Sequence, residues 1–421
     1  MLKYVLGLLA LIVSFTNITP SLAIDEVTDD LNKIAIIGTD RNIYTYDFDD
    51  SEITQLTDDG RNSRSYQWVT WSTDGRLAYF CCENNPQGQA YVSDNGTETP
   101  RLIYTNPDTF FIYAYWSPAD CGDNCRELAM LVQRSTGLAV DVLTDSDEPS
   151  FTTIGTGQPF YYHWDSTGSQ MIFHRGNRDL DIYSRAENDV STSLAPSSGS
   201  FQTPVWSPID NRVLVGVQGS SAGLTTLTVL DGTDELAIAN DIEGLVSFLW
   251  SPDGSKIAYR TVDQFGYNAI VVIDAQTGEI LDVADNRGAI AFSWSPDSSK
   301  IAYLTVKDGS DSASITTRIN QSFVQNNSPT YLTWNVLDIE AQTNVSYSSF
   351  IPTYEMVYLL TYFDQFAPSH RLWSPDSRYL VFAGGIADDQ TVPMIYTLDT
   401  QANDASVTEI AEGTFGIWSF K

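Results

Sequence analysis

A tryptophan-centred motif recurs along this chain and restricts the folds that the chain can adopt. The clearest copy begins at Trp250 and reads WSPDGSKIAY, and a near copy, WSPDSSKIAY, begins at Trp294. Consecutive copies are separated by 45, 48, 42, 44, 44, 79 and 45 residues. Such spacing is typical of architectures in which one small unit of structure is repeated. The eight copies open at Trp71, Trp116, Trp164, Trp206, Trp250, Trp294, Trp373 and Trp418.

The residues of the motif predict two strands joined by a tight turn. In the copy at Trp250, Pro252 presets φ for the second position of a type I turn, and Asp253 suits the third. Gly254 tolerates a positive φ at the fourth position, and the run 256–259 begins the next strand. A large apolar residue that returns once per unit is best explained by packing between adjacent units. We therefore interpret the motif tryptophans as structural.

Two further strands are expected after each motif, which makes each repeat a four-stranded antiparallel sheet. Third strands are recognisable at 181–184, 269–274 and 396–399, and an outer strand at 279–283. The fold class predicted from this pattern is all-β, namely a β-propeller of eight four-stranded blades.

The two ends of the chain complement each other. Residues 31–57 contain a second, third and fourth strand without a first, whereas residues 413–421 contain a first strand and nothing more. We expect both segments to share the eighth blade, so that the C-terminal strand joins the N-terminal strands and closes the ring. Closure removes the open sheet edges that invite aggregation. Residues 24–421 are accordingly predicted to form a single domain.

The Trp-Ser-Pro-Asp turns at Trp250, Trp294 and Trp373, with Lys-Ile-Ala-Tyr after the first two, resemble the WD40-like, TolB-type propeller repeat family. The resemblance covers nearly all of the chain after residue 23. It implies the propeller fold and leaves the function open, because one fold supports many functions. TolB itself carries a separate N-terminal domain and fewer repeats, so its partners are not expected here.

Oligogalacturonate lyases, which carry a related propeller, use histidines to hold a metal. This chain has three histidines: His163 and His370 lie just before motif tryptophans, and His174 ends a second strand. The blades of His163 and His370 are expected about half a ring apart, so we predict ordinary hydrogen-bonded histidines and no metal site.

The first 23 residues have the layout of a secretory signal peptide. Lys3 precedes an apolar run from Tyr4 to Phe15, and Ser21 and Ala23 supply small residues at a cleavage position. The run is short for a membrane span. We predict cleavage after Ala23 and a mature protein that is secreted, periplasmic or on the cell surface and is not integral to the membrane. An uncleaved N-terminal anchor is the alternative.

Acidic residues dominate the charge of the chain. The formal net charge is −32, with 54 Asp and Glu against 22 Lys and Arg. A surface of this sign repels phosphate backbones, so no nucleic-acid partner is expected. The acidic loops 145–148 and 308–311 could collect Ca²⁺, but neither forms a complete calcium loop, and solvated loops explain them better. No cofactor is therefore predicted.

The four cysteines fall into two pairs. Cys121 and Cys125 lie in the long turn of the motif at Trp116, and an exported protein can oxidise them. We predict a disulfide between these two. Cys81 and Cys82 end a strand of the preceding blade, where a bond between neighbours is conceivable but strained.

Two insertions interrupt the repeat between Trp294 and Trp373. One is a polar segment, 307–329, and the other spans 350–369. Because strand direction alternates, both are expected on one face of the disc. The second carries aromatic residues four apart, which aligns them on a short helix. These candidate binding residues are Tyr354, Tyr358, Tyr362 and Phe366.

The aromatic cluster has two interpretations. If exposed, it forms a partner-binding patch; otherwise it folds over the ring and packs there as a lid. Our functional prediction is a monomeric, non-enzymatic propeller that binds a protein or carbohydrate ligand through this face, with no catalytic residue assigned. The alternative is a carbohydrate-active lyase or hydrolase with its site at the axial channel. Clustered histidines or carboxylates at the channel mouth would favour the enzyme.

Overall fold

Antiparallel pairing between strands that follow one another in the chain builds almost all of the structure. The computed structural model describes residues 31–82, 87–97, 99–157, 160–175, 179–192, 203–232, 234–264, 266–284, 288–307, 330–386, 390–402 and 406–421. Within these ranges the strands form six four-stranded sheets and one seven-stranded sheet. The predicted signal peptide and nearly all of the polar insertion, including the loop 308–311, lie outside the described residues.

The first half of the chain contributes nineteen strands within the described ranges. They are β1 (Lys33–Ile37), β2 (Ile43–Asp47), β3 (Glu52–Gln55), β4 (Tyr66–Trp71), β5 (Arg76–Cys81), β6 (Gln87–Asp94), β7 (Arg101–Pro107), β8 (Phe110–Trp116), β9 (Arg126–Arg134), β10 (Gly137–Asp145), β11 (Ser150–Thr156), β12 (Phe160–Trp164), β13 (Gln170–Arg175), β14 (Asp179–Ser184), β15 (Asp189–Thr192), β16 (Val205–Trp206), β17 (Val213–Gln218), β18 (Leu224–Asp231) and β19 (Asp234–Glu243).

The second half adds further strands and two short helices. The strands are β20 (Leu245–Trp250), β21 (Lys256–Asp263), β22 (Gly266–Asp274), β23 (Ile280–Val283), β24 (Ala291–Trp294), β25 (Lys300–Val306), β26 (Leu332–Asp338), β27 (Thr343–Pro352), β28 (Tyr379–Gly385), β29 (Met394–Asp399), β30 (Val407–Glu412) and β31 (Phe415–Trp418), and the helices are α1 (Tyr354–Thr361) and α2 (Phe363–Phe366). Among the described residues, no helix has the length and apolarity needed to cross a membrane.

The last strand pairs with the first. β31 runs antiparallel to β1, with Trp418 opposite Ile34 and Phe415 opposite Ile37. The order of this sheet is β3-β2-β1-β31, so it combines strands from both ends of the described chain. The other four-stranded sheets each contain four consecutive strands, from β4–β7 to β20–β23.

The seven-stranded sheet departs from the predicted pattern. β27 runs on to pair with β28, so that β24–β30 form one sheet. The strand expected before Trp373 shrinks to two isolated bridges, between Trp373 and Leu380 and between Arg371 and Trp418. The reason is local: the His370 N–H still donates to the Phe366 carbonyl at 2.9 Å, so the chain remains in helical turns up to that point. Only three residues are left to extend before the turn.

The motif turns adopt the geometry expected of them. Ser251 Oγ donates to Asp253 Oδ1 at 2.5 Å, and the Ser255 N–H donates to the same oxygen at 3.0 Å. Gly254 has φ +66°, in the left-handed region that glycine enters without a Cβ clash. In the copy at Trp294 the corresponding residue is Ser298, with φ 62°. The fold holds this position in a left-handed conformation even where glycine is missing.

The core lies between the faces of neighbouring sheets. All eight motif tryptophans are buried, with exposed fractions of 0 to 7%. Every residue of β5 is buried, because this strand has protein against both of its faces. Aromatic contacts bridge the sheets: the ring centroids of Phe80 and Phe111 lie 4.5 Å apart, and those of Phe48 and Tyr379 lie 4.9 Å apart.

Candidate ligand-binding cavity

Four motif tryptophans, Trp116, Trp164, Trp250 and Trp373, are each joined to the preceding copy of the motif by a hydrogen bond. The indole N–H of Trp116 donates to the carbonyl oxygen of Thr70, and that of Trp164 donates to Tyr115, both at 3.1 Å. Trp373 makes the corresponding bond to Ser293 at 3.2 Å. In each case the acceptor directly precedes the tryptophan of the preceding motif copy. These bonds hold the residues on either side of the tryptophans in register from sheet to sheet.

Those flanking residues enclose a cavity of about 270 Å³, here called the motif cavity. Six of its lining residues directly precede a motif tryptophan: Tyr115, His163, Val205, Leu249, Ser293 and Leu372. Seven others lie two positions after one: Thr73, Pro118, Ser166, Pro208, Pro252, Pro296 and Phe420. The repeat therefore brings one strand position and one turn position from most of the motif copies to a common space.

A single-copy segment, residues 353–370, supplies further lining and is here called the plug. Ala367 and Pro368 at its end line the motif cavity. Thr353 caps α1 by accepting from the Met356 N–H at 3.2 Å, and its hydroxyl donates to the Thr414 carbonyl at 2.6 Å. The plug thus begins at the connection that leads into β31.

The plug packs against several sheets at once. The Phe366 ring lies 4.9 Å from Tyr113 of β8, and the Phe363 ring lies 4.9 Å from Phe292 of β24. The Gln365 amide bonds both polar groups of one residue in β12: its Nε2 donates to the Tyr162 carbonyl at 2.9 Å, and its Oε1 accepts from the Tyr162 N–H at 3.2 Å. Because the side-chain amide pairs with the backbone as a neighbouring strand would, it fixes the plug in position.

The four predicted binding residues of the plug fall on different sides of it. Tyr354 is 63% exposed and Tyr362 is 39% exposed. Tyr358 is partly buried, with its ring 4.9 Å from Trp68. Phe366 is only 2% exposed and is enclosed by the sheets. The helix therefore presents two tyrosines to solvent and buries the rest of its apolar surface.

Polar groups are few in the motif cavity. Arg371 follows the plug, and burial lowers its pKa to about 10, a shift opposed by its interaction with Tyr115. Burial raises the pKa of Tyr115, and the charge of Arg371 acts against that rise. Asp165 is committed to its own turn: it accepts from the Gln170 N–H at 2.9 Å and from the Thr167 hydroxyl at 2.5 Å.

His163 is the histidine that lines the cavity. Its Nδ1 lies 2.7 Å from the Trp164 carbonyl oxygen, so an Nδ1–H donor leaves Nε2 as an acceptor. Burial lowers its pKa to about 4, and the imidazole is neutral at physiological pH. Of the other two histidines, His174 is buried in β13, and His370, the last residue of the plug, contacts Phe366 and Phe415.

The described residues contain no group of three or more His, Cys, Asp or Glu side chains placed to hold a metal ion. In the acidic loop 145–148, Asp145 is already paired, since Arg76 and Arg101 each reach one of its oxygens at 2.9 Å.

Both cysteine pairs are disulfide-bonded in the structure. Cys121 is joined to Cys125 across the long turn of the motif at Trp116, and Cys81 is joined to Cys82 at the end of β5. Cys81 and Cys82 are buried, and neither pair lines the motif cavity.

No family profile matches the chain, and no curated protein matches its sequence. Solved structures do resemble it. Dihydro-heme d1 dehydrogenase NirN in complex with DHE gives a TM-score of 0.56 at 13% identity, over 93% of this chain and 76% of that one. Oligogalacturonate lyase in complex with manganese gives 0.50 at 14% identity, over 86% of this chain and 94% of that one. The fold is a β-propeller.

At these identities the likeness establishes the propeller fold alone. TolB from Acinetobacter baumannii is less similar, with a TM-score of 0.40 at 12% identity over 85% of this chain and 83% of that one. No function is carried over from any of these propellers.

The sequence interpretation offered a site at the axial channel only as the alternative, for an enzyme, and no lining residue of the motif cavity was predicted as a binding residue. It treated the motif as scaffold and sought function in the insertions. The positions just before each tryptophan and two after it vary more than the tryptophan itself: Tyr115, His163 and Ser293 occupy the first, and Thr73 and Phe420 the second. Variation at fixed positions of a repeat indicates surfaces that the fold does not dictate.

Proposed function

We propose that this chain is an exported, monomeric, non-enzymatic β-propeller that binds a small molecule in the motif cavity. In this proposal residues 1–23 are removed as a signal peptide and residues 24–421 form one domain. The seven-stranded sheet counts as two blades, which gives eight blades in a closed ring. Residues 31–57 and 413–421 share the last blade, and the motif cavity is the axial channel.

Contacts between successive sheets support the closed ring. The Trp206 N–H lies 3.4 Å from His163 Nδ1, and the Asp253 N–H donates to Ser298 Oγ at 3.0 Å. The Thr45 hydroxyl donates to the Gly96 carbonyl at 2.8 Å, which links the sheet of β31 to that of β4. A chain of such contacts from the first sheet back to itself is what a closed propeller requires.

The observation that carries the binding function is the cavity itself. It is concave, largely apolar and provided with a few polar groups, which are the features of small-molecule sites. The plug seals part of it with residues from a single insertion, whereas a purely structural channel needs no specific seal.

An enzymatic role has less support. Among the residues that line the cavity, Asp165 is the single carboxylate, and its oxygens are occupied in its own turn. Glycosidic hydrolysis by the usual route needs two carboxylic groups on either side of the bond. We therefore favour binding over turnover.

The exposed side of the plug offers a second candidate surface. Tyr354 and Tyr362 lie there with large exposed fractions, and tyrosine is a common anchor of protein interfaces. This surface would serve the scaffold role predicted from the insertions. It is smaller than the apolar helix face that the same segment buries.

A fragment screen by ligand-observed NMR tests the proposed cavity function. Ser166→Trp introduces a large side chain at a lining position of the motif cavity, and Glu187→Trp introduces the same side chain at an exposed turn outside it. Cavity ligands of the full chain should lose binding at least tenfold in Ser166→Trp and keep it in Glu187→Trp. Equal binding to both variants, or no fragment that distinguishes them, would overturn the cavity function.

A further inference from the structure

Arg371 carries a guanidinium group for which the described residues supply no acidic partner. Its Nη1 donates to the Phe420 carbonyl at 3.2 Å, and its Cζ lies 4.2 Å from the centroid of the Phe420 ring. No Asp or Glu within the described ranges forms an ion pair with it or acts electrostatically on it. Arg76 and Arg101 differ, because both reach the carboxylate of Asp145.

This guanidinium remains charged at neutral pH, since its pKa is about 10. Arg371 is partly buried, and a charge partly removed from water without a counter-ion raises the free energy of the fold. An anion that enters the motif cavity would supply the missing partner. Guanidinium is also the side chain best suited to bind a carboxylate, because its N–H groups match the two oxygens.

The Tyr115 hydroxyl supplies a second hydrogen-bond donor to the cavity, in addition to the Arg371 guanidinium. The charge of Arg371 acts on the pKa of the Tyr115 hydroxyl, and both residues line the cavity. His163 does not bring a competing positive charge, because burial keeps its imidazole neutral above about pH 4. Among the residues that line the cavity, Arg371 is therefore the one charged donor, and Asp165, which also acts on the pKa of Tyr115, is the one carboxylate.

The remaining walls fix the size and polarity of an occupant. The volume of about 270 Å³ corresponds to about nine water molecules at roughly 30 Å³ each. Pro208, Leu249 and Pro252 contribute apolar wall. An inorganic anion would leave this apolar surface unused, whereas a small organic acid would bury a flat hydrocarbon body against it.

We propose that the motif cavity binds a small organic carboxylate, with its charge on Arg371, one oxygen accepting from the Tyr115 hydroxyl, and its apolar body against Leu249 and the motif prolines. This inference rests on the proposed small-molecule function and adds the charge and size of the ligand. It makes Arg371 and Tyr115 the residues that determine specificity.

Calorimetric titration with benzoate, benzamide and inorganic phosphate tests the inference on the full chain. Benzoate and benzamide share their shape, so they differ in charge and hydrogen bonding. We expect benzoate to bind about ten- to a hundredfold more tightly than benzamide, the range expected for hydrogen bonds to a charged group. Arg371→Gln should remove that preference, whereas Arg61→Gln, at an exposed arginine outside the cavity, should preserve it.

Tyr115→Phe keeps the ring and removes only the hydroxyl, so it provides a test if Arg371→Gln does not fold. It should weaken benzoate about five- to tenfold, in line with one hydrogen bond, and leave benzamide nearly unchanged.

The outcomes separate this inference from the cavity function. Benzamide that binds as tightly as benzoate, and loses binding in Ser166→Trp, would overturn the carboxylate and leave the cavity function standing. Phosphate that binds as tightly as benzoate would show a general anion site and would also overturn the inference. Absence of benzoate binding at millimolar concentration would also overturn the inference. The fragment screen tests the cavity function independently of this result.

Discussion

The walls and the plug of the motif cavity are built in opposite ways. The walls come from eight copies of one motif, and four of these copies are joined to the copy before them by similar indole-to-carbonyl hydrogen bonds. The plug occurs once, and each of its contacts is different: a tilted contact between two aromatic rings, an amide that bonds twice to one residue, and a capping threonine. Because the motif is repeated, many similar sites shape the walls, and each site contributes only a small part of their stability. The plug has no such redundancy, so individual substitutions there should have larger effects.

The largest difference should appear when one aromatic residue of the plug is removed. Phe366→Ala empties a site enclosed by Tyr113 and Trp68, and should lower the free energy of unfolding by about 3–5 kcal/mol. Tyr354→Ala, at an exposed position of the same segment, should change it by less than about 0.5 kcal/mol. Denaturant midpoints of the two variants provide the measurement. Similar midpoints would mean that the plug is not part of the core.

A pH titration compares plug and wall through their buried histidines. Burial lowers the pKa of His370 in the plug to about 3 and that of His163 in the wall to about 4. Both values lie below the ordinary 6.5, so the unfolded chain takes up the proton first as the pH falls. The stability that each neutral ring contributes is complete above pH 6.5. It is lost between pH 6.5 and about 3 for His370, and between pH 6.5 and about 4 for His163.

The loss can reach about 1.4 kcal/mol per pH unit for each ring, or about 2 kcal/mol at pH 5. His370→Gln should reduce the loss of stability between pH 6.5 and about 3. Thermal melts at pH 7, 6 and 5 can measure this. The ring neighbours of His370 are the uncharged Tyr113, Phe366 and Phe415, with the Ser369 hydroxyl at 2.7 Å from Nδ1. A variant that declines as steeply as the wild type would show that this histidine is already hydrated.

The smallest effect should come from one hydrogen bond of the wall. Trp164→Phe removes the bond to the Tyr115 carbonyl, whereas Trp71→Phe removes an indole N–H that has no hydrogen-bond partner among the described residues. Both tryptophans are buried to about the same extent. Trp164→Phe should therefore be the more destabilising of the two by about 1 kcal/mol. If Trp71→Phe lowers the free energy of unfolding by the same amount, packing alone explains why tryptophan recurs in the repeat.

The sequence predicted the fold far better than the site. Repeat spacing and turn chemistry are local, so strands such as β1 and β14 lie where they were expected. The side of the plug that faces inward could not be predicted, since Tyr354 and Phe366 differ in burial only through the sheets that surround them. The lack of an acidic partner for Arg371 among the described residues likewise depends on how the sheets pack in three dimensions. In a chain with 54 acidic residues, no local pattern indicates which arginine remains without one.

The pairing of β31 with β1 has a consequence for the time course of folding. The strands are separated by 378 residues, since Phe415 opposes Ile37. At about 5–20 residues per second, synthesis of that interval takes roughly 20 to 75 seconds. During this time β1 is already made, but one of its edges has no partner. A nascent chain of this kind has to keep that edge from pairing with another molecule for much longer than a strand needs to form.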